Sequence, residues 1–131
     1  MGRKSLFITT DQQRYDALGC NGGTIARTPV IDALSRAGIT FDRAHPQNVV
    51  CMPSRSTMLT GQHVSTHGVW MNGVPLPEDA PSIAADLRGA GYATALIGKA
   101  HFEPLLDPFL RFTENRLGAE RINTDNPSDP H

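Results

Sequence analysis

The chain has 131 residues, 39% of them hydrophobic, with 12 Lys and Arg against 13 Asp and Glu for a net charge of −1. That size suits one soluble α/β unit and argues against a second full domain, and the balanced charge excludes a global field that would recruit nucleic acid or an anionic membrane. No stretch approaches the roughly 20 apolar residues of a membrane span, and the start Met1-Gly2-Arg3-Lys4-Ser5 lacks the apolar region of a signal peptide, so the expectation is a cytoplasmic protein.

Ser5 to Thr10 is short, apolar and rich in β-branched residues, which predicts a buried strand delivering Asp11 at its carboxyl end. Open α/β sheets bind their ligands at that edge. Gly19 to Gly23 is a turn cluster, and Cys20 within it, beside Asn21-Gly22-Gly23, reads as an ordinary small residue. With only one other cysteine, Cys51, a disulfide scaffold is excluded and a reducing compartment keeps both as thiols. Thr28-Pro29 offers a helix cap followed by proline at the first helical position, and Val30, Ile31, Leu34 and Ala37 continue at helical spacing up to Gly38.

Ile39 to Phe41 is a candidate short strand, and His45 to Val50 a loop leading to Cys51. Ser54 to Thr60 predicts a short helix whose amino end lies just behind that cysteine, with Gly61 closing it. Asn72 to Pro81 contains Pro75, Pro77 and Pro81 and reads as a connector. Ser82 caps a predicted helix through Ala90, stopped by Gly91, and Tyr92 to Ile97 predicts a second buried strand ending in Gly98-Lys99. Two strands separated by helices imply parallel pairing with right-handed crossovers, which would bring Asp11 and Lys99 to one sheet edge. Residues 1–112 form this unit; residues 113–131, punctuated by Pro127 and Pro130, read as an irregular tail.

The strongest chemical signal is Cys51-Met52-Pro53-Ser54-Arg55, followed by Ser56-Thr57-Met58-Leu59-Thr60-Gly61. A cysteine at a helix amino end with arginine four residues on sits in positive potential, which licenses a reactive nucleophile or an anion pocket. The cysteine phosphatase loop would need arginine six positions on, where Thr57 stands. Asp11-Gln12 offers a carboxylate and an amide oxygen, hard ligands for calcium, manganese or magnesium, although a strand-terminal aspartate also serves as a cap for the next turn. Lys99 and His101 are two apart and face one side of an extended segment; alone, such a pair is more often a solvated loop.

These segments together resemble the formylglycine-dependent sulfatases of the alkaline phosphatase superfamily. Cys-x-Pro-Ser-Arg with Leu-Thr-Gly downstream meets every fixed position of the sulfatase signature, and Gly91-Tyr92-Ala93-Thr94 leading to Gly98-Lys99-Ala100-His101 is similar to a second family segment, with Ala100 where tryptophan is common. The resemblance covers residues 5 to 112, including Phe102-Glu103-Pro104 and Asp107-Pro108. It implies an alkaline-phosphatase-like three-layer sandwich with a mostly parallel sheet, of which this chain is one part. It also implies that Cys51 is converted by a formylglycine-generating enzyme to formylglycine, whose hydrate attacks sulfur near a divalent metal, with calcium or manganese preferred.

Carried over residue by residue, the resemblance makes Asp11, Gln12 and residue 51 metal ligands. Arg55 and Lys99 hold the sulfate oxygens, His101 takes a proton from the formylglycine hydroxyl, and His67, beside Gly68, is a candidate substrate contact. His45 reads as structural, and Met52, Met58 and Met71 as packing residues. Nothing after Phe112 matches the family's remaining ligands, so the chain is expected to hold half an active site, to be inactive or nearly so alone, and to associate through exposed surface, for instance as a homo-oligomer. Gln12, where sulfatases usually hold a second aspartate, resembles the phosphonate monoester hydrolase and choline-sulfatase branches. The rival readings are therefore a phosphonate or phosphodiester hydrolase with the same nucleophile, and a non-catalytic module for partner binding or oligomerisation.

Overall fold

In a computed structural model the described residues are 4–101 and the backbone of 114–117, and they divide into two units, Met1–Ala44 and His45–His131. In the first unit the chain runs in coil to two 3-10 turns, Tyr15–Ala17 and Gly19–Asn21, and then into helix α1, Pro29–Ala37. The helix begins and ends where the sequence predicts, with Pro29 at its start and Gly38 after it. Thr28 occupies the cap position but caps no helix N–H. Its hydroxyl accepts the Gly19 N–H at 2.8 Å and donates to Asp32 Oδ1 at 2.9 Å, and Asp32 Oδ1 also accepts the Cys20 N–H at 2.8 Å. The Thr28 hydrogen bond, aided by that from Cys20, holds the Asp32 carboxyl below its ordinary pKa.

The predicted strands Ser5–Thr10 and Ile39–Phe41 are absent; both stretches are coil, with Leu6 85% and Ile39 83% exposed. A parallel strand has no internal hydrogen bonds and exists only against a neighbour. Among the described residues no segment pairs with either stretch.

The second unit holds a small core of Met52, Leu59, Val69, Leu76 and Ala100, with Val74, Ala80 and Leu96 packed against it. Helix α2, Cys51–Thr60, supplies two of the core residues and is followed by the short helix α3, Val64–His67. Gly61 ends α2 in the left-handed region at φ 68°, where a side chain would be strained. The connector over 72–81 is irregular, as predicted, and leads to helix α4, Ile83–Gly89. Ser82 precedes α4 without a capping hydrogen bond, its hydroxyl buried and unpartnered among the described residues.

Strand β1, Ala95–Gly98, starts three residues later than predicted and pairs in parallel with β2, Glu114–Leu117, from Ala95 opposite Glu114 to Gly98 opposite Leu117. Parallel pairing is therefore present, but its partner lies in the stretch read as an irregular tail. The sheet among the described residues has two strands, so the mostly parallel sheet implied by the resemblance is not formed there. The segment 102–112 of the resemblance and the remainder of the tail lie outside the described residues. No helix among the described residues is long and apolar enough to cross a membrane.

Candidate active site

Helix α2 begins at Cys51 itself, three residues before the predicted start. Pro53 is no obstacle, because a first-turn residue has no intrahelical acceptor for its N–H in any case. The first helical hydrogen bond runs from the Ser54 N–H to the Val50 carbonyl at 3.2 Å. Cys51 thus stands half-buried at the positive end of a ten-residue helix. Arg55, four residues on, lies one turn along the same face.

The Arg55 side chain reaches out of the helix, and its Nη1 donates to the Lys99 carbonyl oxygen at 2.9 Å. That bond ties the signature helix to the residue that follows β1, across 44 positions of sequence. Gly98 turns the chain there at φ 97°, a conformation that favours glycine. Ala100 is 4% exposed within the core, so the small side chain at this position serves packing. Lys99 and His101 flank it, both half-buried.

His101 has φ 49° and Gln12 φ 52°, and among the described residues these are the positive-φ residues other than glycine. Such backbone is costly for a residue with a side chain and concentrates at functional sites. Both had already been singled out by motif. Asp11 and Gln12 lie in the first unit, at the end of exposed coil. Among the described residues, the strand pairing expected to bring Asp11 beside Lys99 is not formed. Among the described residues no three or more His, Cys, Asp or Glu side chains are grouped to hold a metal ion.

His67 differs from the candidate substrate contact the sequence suggested. It is 1% exposed, and both ring nitrogens are committed within the chain. Nδ1 accepts the Val69 N–H at 3.1 Å, so the ring proton is assigned to Nε2, which lies 3.0 Å from the Thr57 hydroxyl on α2. Burial pushes its pKa down. The ring is a brace between α3 and α2, beside a cleft of about 210 Å³ lined by Gln62, Thr66, His67, Pro77, Asp79 and Pro81, to which Cys51, Arg55, Lys99 and His101 do not contribute. His63 is exposed and hydrogen-bonded through Nδ1 to Gln47 Oε1 at 2.9 Å.

Asn72 escaped the sequence reading. Its Oδ1 accepts the Met52 N–H at 3.0 Å. The available signal was Asn72-Gly73, a turn dipeptide within a proline-rich connector, which says nothing of a distant helix.

The helix that opens on Cys51 thus carries, one turn on, a guanidinium that reaches the segment bearing Lys99 and His101. Residues 3–124 match the Sulfatase family model, and the chain belongs to the sulfatase family of sulfuric ester hydrolases. The match continues past Phe112, where the motifs end, and takes in β2.

An ulvan-active sulfatase from Formosa agariphila is 35% identical over 98 residues, covering 75% of this chain and 20% of that protein. An arylsulfatase from Clostridium perfringens is 33% identical over 137 residues, covering 95% of this chain and 28% of that protein. The solved phosphonate monoester hydrolase of Agrobacterium radiobacter superposes with a TM-score of 0.74 at 29% identity, over 86% of this chain and 25% of that one. That likeness is consistent with the alkaline phosphatase superfamily and its fold. The chain thus spans less than a third of the length of each.

Proposed function

We propose that this chain supplies the nucleophile half of a sulfate ester hydrolase site, with residue 51 acting as formylglycine. The observation that carries the reading is the Arg55 to Lys99 hydrogen bond of 2.9 Å, because it joins two motifs the sequence could only list separately. The left-handed backbones of Gln12 and His101 add support. Formylglycine, as its hydrate, would supply a hydroxyl nucleophile and a second hydroxyl through which the product sulfate is released.

Around that side chain Arg55 contributes a fixed positive charge for the sulfate oxygens, reinforced by the amino end of α2. Lys99, on the segment that follows β1, adds a second cation, and His101 on that segment accepts a proton from residue 51. Asp11 and Gln12 provide two hard oxygen donors, which suit calcium or manganese but fall short of a full ligand set. A divalent ion held there would polarise a sulfate oxygen. The remaining donors have to come from outside the described residues, and the chain alone is expected to be nearly inactive.

A phosphonate monoester is the second substrate class. It is favoured by Gln12 and by the likeness to the Agrobacterium radiobacter enzyme. The test is to make the chain alongside a formylglycine-generating enzyme, read the mass of residue 51, and follow aryl sulfate and aryl phosphonate hydrolysis with and without calcium or manganese. Conversion of Cys51 is expected. A thiol that persists under those conditions removes the reading, and brisk metal-dependent turnover by this chain alone removes the half-site.

A further inference from the structure

Helix α2 brings no cap of its own: Val50 stands at its cap position and Cys51, Met52 and Pro53 open its first turn. The opening N–H groups of a helix have no partner inside it. Pro53 has none to satisfy, and that of Met52 is accepted by Asn72 Oδ1 at 3.0 Å, from 20 residues further along the chain. The next residue, Gly73, points its own N–H at Met52 Sδ, 3.1 Å away.

Burial fastens the same turn. Met52 is 1% exposed and lies in the core with Val69 and Leu76, which bracket Asn72 in sequence. The turn is therefore pinned before, after and at Asn72-Gly73 itself, and its carboxamide has little freedom to leave the Met52 amide. Asn and Asp cap helices because a short side chain places an oxygen on an opening N–H. Here that oxygen comes from a distant loop instead of the preceding residue.

We propose that Asn72 is a positioning residue for the side chain at position 51: it holds the first turn of α2 closed and so fixes the direction in which residue 51 projects. The catalytic consequence rests on the reading of residue 51 as the nucleophile, whereas the placement itself does not. With Asn72 removed, the turn frays from its amino end, and residue 51, the first in the helix, is the first to lose its orientation. Asp in its place retains an acceptor oxygen and the cap.

The test uses the chain made without a formylglycine-generating enzyme and carrying Cys20→Ser, so that Cys51 is the one thiol. Its rate of alkylation by iodoacetamide at a single pH reports how often the first turn opens. Asn72→Ala should raise that rate about fivefold, the population change that loss of a helix cap permits. Asn72→Asp should stay within about twofold of the parent, since Asp caps as well as Asn. The His67 ring titration, followed by NMR, should be unchanged in both, which separates fraying of one turn from loss of the core. An unchanged rate in Asn72→Ala overturns the proposal, as does an equal rise in Asn72→Asp, or a rise accompanied by His67 titrating as a free histidine. The mass of residue 51 in the co-expressed chain is read independently: a thiol there sinks the sulfatase chemistry while the alkylation rates still judge Asn72.

Discussion

In the second unit the residues around Cys51 are held by side chains that leave water, whereas in the first unit the order around α1 depends on hydrogen bonds near the surface. Met52, Leu59, Val69, Leu76 and Ala100 form the core under α2, and α1 has no buried residue at all, with Val30 72% exposed. Two of the core residues, Met52 and Leu59, lie on α2, and a helix satisfies its own backbone. Leu6, Phe7, Ile8, Ile39 and Phe41 of the first unit lie exposed in stretches predicted as strands, and a strand cannot complete itself. Among the described residues, helices thus form in both units, whereas an extended stretch is a strand only where it has a partner, as β1 has in β2.

The sharpest break of that contrast is Met52→Ala. Truncating a core side chain costs about 2–5 kcal/mol, enough in so small a core to unfold the second unit in urea. A loss under about 1 kcal/mol, below the usual range for such truncations, would mean that burial is not what orders the region. Arg55→Ala comes next. Leaving the Lys99 carbonyl without its donor costs about 1–3 kcal/mol if water cannot replace it, and turnover of an aryl sulfate by the assembled enzyme should fall roughly 10²–10³-fold, as for other preorganised charges. A variant that keeps full turnover would take Arg55 out of the site.

Thr28→Ala tests the other side of the comparison. It deletes the hydroxyl that accepts from Gly19 and donates to Asp32. The expected cost is about 1 kcal/mol, typical of one net hydrogen bond. Amide exchange should quicken at Gly19 and also at Cys20, whose acceptor Asp32 loses its brace. Unchanged exchange at both would show that the turns of the first unit are ordered by something other than this network.

Which parts were legible in the sequence follows the same division. Helix α1 was readable from Thr28-Pro29, four apolar positions and Gly38, all within one short window. The cysteine signature and the Gly-Lys-x-His segment were readable because they match residue patterns of the family to which the chain belongs. Helix α2 starts three residues before the predicted Ser54, and first-turn Pro53 is compatible with that start. Strand β2 was invisible, since Glu114-Asn115-Arg116-Leu117 has no apolar run and becomes a strand only opposite β1. His67 reads from the sequence as a candidate substrate contact through its place beside Gly68, whereas its burial and its two partners, Thr57 and Val69, depend on packing that no motif encodes.

That histidine gives the smallest expected effect, a pH dependence confined to the second unit. Buried at 1% exposure, with Nδ1 already accepting from Val69, His67 cannot take a second proton without losing that bond and placing a charge away from water. Burial lowers its folded pKa below the ordinary 6.5, while the unfolded chain keeps the ordinary value. The unfolded state therefore binds the proton more readily, so stability is full above about pH 6.5 and declines as the pH falls from there towards the folded pKa. Thr57, the partner of Nε2, adds no charge to oppose this. Urea midpoints should drop between about pH 7.5 and pH 5.5, the span over which an unfolded histidine takes its proton. The drop should flatten in His67→Gln, whose amide offers a donor and an acceptor without a titrating group. An identical slope in the two proteins would assign the pH dependence elsewhere and leave His67 as a brace whose protonation the fold does not resist.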